Sequence, residues 1–92
     1  MSEIRVTPLE PTRFSAEVTE GHVRTTHTVT VPPQLLDDLG LSGMDEVEIV
    51  RQTFEFLLER EPAAAILEHF SLEQVPSYFP DFYAELRVRL GV

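Results

Sequence analysis

Ninety-two residues, 42% of them apolar, suffice for one domain with its own core, and the lack of cysteine excludes disulfides and thiolate metal sites. No apolar run approaches the roughly 20 residues of a membrane span, and MSEIRVTP lacks a signal peptide's apolar region, so a bacterial-type cytoplasmic protein with no membrane partner is expected. The net charge of −9 is concentrated in residues 32–92, twelve carboxylates against four arginines, an acidic half that repels phosphate and argues against a nucleic-acid partner.

Glu3 to Thr7 alternates polar and apolar side chains, the pattern of a short half-buried strand, and Pro8 and Pro11 mark a connection after it. Two further strands are predicted at 12–19 and 22–31. A two-residue loop at Glu20-Gly21 joins them, with glycine supplying a positive φ. That loop pairs Val18 with Val23, Ala16 with Thr25, Phe14 with His27 and Thr12 with Val29, and sets Glu17 opposite Arg24 on the other face. The inner face of this meander holds Ile4, Val6, Phe14, Ala16, Val18, Val23, Val29 and Val31. His27 shares that face and reads as a packed, hydrogen-bonded histidine; in a strand it cannot share a metal ion with His22, which lies on the opposite face.

Val31-Pro32-Pro33 ends the sheet, and a short helix through Leu39 is predicted, with Gly40 as its C-terminal cap. The organising element is the next helix, Met44 to Glu61, with Ser42 as its N-cap and Asp45 in its first turn. Val47, Val50, Phe54, Leu57 and Leu58 recur at helical spacing, and Pro62 stops the ladder. Ala63 to Phe70 reads as a second helix burying Ile66, Leu67 and Phe70. Ser71 to Gln74 has the capping-box pattern, and Pro80 opens a last helix in which Glu85 and Arg89 form an i,i+4 pair. The expected fold is α+β in a single domain, 1–92: a three-stranded antiparallel meander (1–31), then four or five helices packed on one face (32–92).

No residue is assigned a catalytic, cofactor-binding or metal role. Glu55 and Glu59 have the residue type for acid–base work but lie on the polar stripe of the long helix, where nothing desolvates them. There is no phosphate-cradling glycine loop and no nucleophile context. The candidate interaction surface is Ile49 and Phe56, which point away from the main face of the long helix and suit a dimer contact, together with Tyr78, Phe82 and Tyr83.

Two resemblances stand beside this reading. Val31-Pro32, Leu35, Leu39-Gly40-Leu41 and Asp45-Glu46-Val47-Glu48-Ile49 resemble the swapped-hairpin (AbrB-like) regulators, in which a Gly-Asp leads into a strand. Here Met44 replaces that glycine, and no Arg or Lys lies between Arg24 and Arg51 to meet phosphate. Over more of the chain, His27 to Val31, then Thr53-Phe54-Glu55-Phe56-Leu57-Leu58-Glu59-Arg60-Glu61-Pro62, Ile66-Leu67, Phe70 and Tyr78-Phe79-Pro80 look like a small uncharacterised bacterial protein family. That resemblance implies a hairpin followed by a helix and brings no activity with it. The first expectation for function is a non-enzymatic protein-interaction or regulatory module, binding a protein partner or a second copy of itself. A swapped-hairpin DNA-binding regulator or antitoxin is the second, and an enzyme subunit completed by another chain the third.

Overall fold

In the computed structural model, which describes residues 2–92, strands β1 (Ser2–Glu10), β2 (Arg13–Glu20) and β3 (Val23–Thr30) form an antiparallel meander. Helix α1 spans Pro33–Leu39 and α2 Glu46–Leu58. A 3₁₀ turn at Ala63–Ala65 leads to a short strand β4 (His69–Ser71), a second 3₁₀ turn at Leu72–Ser77 and helix α3, Phe82–Arg89. The fold is α+β, with a four-stranded sheet in the order β1-β2-β3-β4 rather than three strands, because β4 pairs in parallel with β3.

The meander keeps its predicted faces but not its predicted register. Val18 pairs with Thr25, Ala16 with His27 and Phe14 with Val29, so each partner is displaced by two residues. A shift of two leaves every side chain on its own face, and Phe14, Ala16, Val18, His27 and Val29 are all buried. The turn is Gly21-His22, with Gly21 at φ 60°. Glycine in the first turn position confines the positive φ to the one residue that takes it freely, whereas Glu20-Gly21 would place glutamate there. Glu17 therefore faces Thr26, and Arg24 faces Thr19. Val23 lies near the turn and stays exposed.

β1 continues past Pro8 to Glu10, through a register irregularity between Pro8 and Glu10. An edge strand tolerates the proline when its nitrogen faces away from the sheet. The hydrogen-bond parity places it so. Val31 N–H donates to Thr12 O (2.8 Å) and Thr28 N–H to Glu68 O (2.6 Å), so odd residues of β3 bond toward β2 and even ones toward β4. Carried through the register, odd residues of β1 bond to β2, and Ser2, Ile4, Val6 and Pro8 turn their backbone groups to the open edge.

α1 closes on Gly40, at φ 73°, with Gly40 N–H on Asp37 O and Leu41 N–H on Leu36 O, and Leu41 is driven into the core. α2 begins one residue later than Asp45, which is its N-cap and accepts from Val47 N–H at 3.0 Å. Ser42 does not cap it, because its hydroxyl donates to the Asp37 carboxylate instead. Val50, Phe54 and Leu57 are buried as the spacing requires, and α2 packs across β1 and β2 on one side and α3 on another.

The segment Ala63 to Phe70 is not a helix. Eight residues cannot hold a helix without tertiary support, and the outward backbone groups of β3 offer a competing ladder. The chain accepts it: Glu68 O takes the Thr28 N–H, and Leu67 O lies 2.7 Å from His27 Nδ1. Ile66 and Phe70 face the core as expected, but Leu67 faces out. The Ser71 capping box is complete, with Glu73 N–H on Ser71 Oγ and Ser71 N–H on Gln74 Oε1, although it opens a 3₁₀ turn.

Candidate interaction site

β4 and the two 3₁₀ turns build a concave apolar groove of about 150 Å³ against the C-terminal end of α2. Its floor is Leu57, Ile66, Phe70 and Val75, all buried, and half-buried Phe79 also lines it. Leu67 (47% exposed) and Tyr78 (66% exposed) stand on its rim as large apolar side chains in solvent. Glu61 also lines it, and exposed Glu68 and Glu73 are chain neighbours of rim and wall residues. The volume is below the roughly 300 Å³ at which small-molecule sites begin, and suits one bulky side chain.

His27 anchors the groove's strand. The Leu67 carbonyl can only accept, so Nδ1 carries a proton and donates to it, and Nε2 meets Thr25 Oγ1 at 2.8 Å. The ring is buried against Phe54, centroids 5.3 Å apart. It has the packed, hydrogen-bonded role that its position on the inner face implied.

The five sequence candidates separate into different environments. Tyr78 alone lines the groove. Ile49, Phe56 and Phe82 are fully buried, so none offers a surface to a partner while the chain is folded. Tyr83 is half-buried, and burial first, then the carboxylates of Glu73 and Asp38, push its hydroxyl above its usual range. Phe56 is covered because α3 lies over it: its ring is 5.1 Å from Phe82 and 5.9 Å from Phe79. The Arg60 guanidinium completes the cover at 3.7 Å from the ring centroid, held there by Asp81 at 2.8 Å. Beside it Arg89 grips Glu59 with two bonds of 2.7 and 2.8 Å, and meets Glu85 at 3.4 Å. The hydrogen bond from Arg89 holds the Glu59 carboxyl below the usual carboxylate range, and Glu59 pushes the Arg89 guanidinium up in return.

The groove's strand wall was missed by helical reasoning, yet the sequence held a signal for it. Ile66 and Leu67 are adjacent in the approach to β4, where Ile66 is extended, and extended backbone that buries one turns the other out. In the region resembling the swapped-hairpin regulators, Glu46 to Val50 are the first turns of α2, not a strand. Comparison with protein-family models, with curated proteins and with solved structures finds no match to this chain.

Proposed function

We propose that this chain is a non-enzymatic protein-interaction module whose groove takes one bulky apolar side chain from a partner segment. The observation that carries the reading is the pairing of a buried apolar floor with two exposed apolar rim residues, Leu67 and Tyr78. Large apolar side chains held in solvent around a concavity favour association, because covering them removes water from both partners. The acidic balance of residues 32–92, with Glu61 in the groove wall, favours a segment whose anchor is flanked by Arg or Lys.

The test is nuclear magnetic resonance titration with short peptides carrying one Leu, Phe or Trp anchor and basic, neutral or acidic flanks. Basic-flanked peptides should shift the resonances of Ile66, Leu67, Tyr78 and Phe79, and Leu67→Asp should remove the effect without unfolding the chain. A series in which no peptide perturbs these residues at millimolar concentration, or in which acidic flanks bind equally well, overturns the reading.

A further inference from the structure

We propose that β1 is a self-association edge: two copies of the chain join antiparallel through it, about a two-fold axis at Ile4, into one eight-stranded sheet. The inference rests on the edge alone and stands independently of the groove.

β1 is the open end of the sheet, and the outward N–H and C=O groups of Ser2, Ile4 and Val6 form an uninterrupted ladder template. Pro8 ends it, since its nitrogen faces the same edge and carries no hydrogen. Natural edges are blunted by charge. Within the ladder from Ser2 to Val6 the two charges, Glu3 and Arg5, are both exposed and two residues apart, so they complement a second copy instead of repelling it.

The register follows by elimination. Antiparallel partners must both turn their backbone groups toward the shared edge or both away from it, so the symmetry axis passes through a residue, not between two. Centred on Arg5, the arginine would face its own copy. Centred on Val6, Ile4 would face the partner's Pro8 and lose a hydrogen bond, with Glu3 and Arg5 facing the partner's Leu9 and the partner's Thr7. Centred on Ile4, Glu3 faces the partner's Arg5 and Arg5 the partner's Glu3, so both charges are paired twice over. Ile4 then meets the partner's Ile4 on the inner face, and Val6 meets the partner's Ser2. Ile4 and Val6 are only partly covered by the helical layer of their own chain, so this contact removes further apolar surface from water.

Little like charge meets at this edge: residues 1–31 carry four carboxylates against three arginines, whereas the helical part carries nearly all of the net −9.

The experiment is sedimentation equilibrium of the full chain over a concentration series reaching millimolar. Wild type should show a reversible monomer–dimer equilibrium. Glu3→Arg and Arg5→Glu should each weaken it about tenfold, as two cross-strand pairs turn repulsive. Mixing those two variants should restore dimer formation, because every Arg then faces a Glu. Ile4→Pro removes an outward-facing N–H, which no bond within the chain uses, and a side chain only partly covered in the monomer, so it should abolish the dimer while far-UV dichroism stays that of the folded chain. A wild type that remains monomeric throughout overturns the proposal. So does a dimer indifferent to the charge variants and to Ile4→Pro, or one disrupted by Leu67→Asp alone.

Discussion

Phe56→Ala should be among the most damaging single truncations in this protein, although the residue lies off the main apolar face of α2. Truncating a buried Phe costs about 3–5 kcal/mol, and the site of Phe56 resists collapse. Its walls are the rings of Phe82 and Phe79, and its lid is the Arg60 guanidinium, fixed by Asp81. Loss of the cation–π contact adds about 0.5–1 kcal/mol, which brings the expected cost to about 5 kcal/mol. For a domain of ordinary stability, 5–15 kcal/mol, that is a third or more of the total. In a chain of this length the melting temperature should fall by about 20–40 °C. The measurement is thermal and urea unfolding followed by far-UV dichroism, with Tyr78→Ala as the comparison. Tyr78 is exposed, so its truncation should change stability by no more than about 0.5 kcal/mol. A fall of less than about 8 °C for Phe56→Ala would refute the packing argument, because it corresponds to only one or two kcal/mol.

Three further outcomes are expected. Because Arg89 lowers the Glu59 carboxyl in the folded state, that pair contributes stability above the ordinary carboxylate value near 4.5 and loses it as pH falls through the folded value; Glu59→Gln should flatten the unfolding midpoint over that acidic range. His27→Ala strands the Leu67 carbonyl without its donor, a loss of about 1–3 kcal/mol, and hydrogen exchange at the Thr28 amide should accelerate as β4 loosens. Duplex DNA should show no salt-sensitive mobility shift with this chain at submicromolar concentration, since residues 25–50 carry no Arg or Lys and residues 32–92 are strongly acidic.

Among the candidate site residues, the sequence marked Tyr78 and the aromatic run around it but not the groove they border. Leu67 was expected inside a helix, because Ile66, Leu67 and Phe70 fit helical spacing when read alone. In the fold only Phe70 of the three lies in a strand, and Leu67 turns outward in the chain that leads from the 3₁₀ turn into β4. Phe56 illustrates the opposite case: its angular position on α2 suggested an open flank, but α3, Arg60 one turn further along and Arg89 from the distant last helix cover it.

What the sequence determined by itself is local and periodic. The alternation in β2 and β3, the helical spacing of Val50, Phe54 and Leu57, the glycine closing α1 and the capping box at Ser71 depend on neighbours within a turn or two, and all are seen in the fold. The hairpin register lay at the limit of such reasoning. Both registers keep the same faces and give Gly21 a positive φ, and they differ in whether glycine takes the first or the second position of the turn. Tertiary structure decided the rest. Whether Ala63 to Ser71 coils or extends depends on an edge of β3 forty residues earlier in the chain, and His27 and Thr28 supply the partners that outweigh helix propensity.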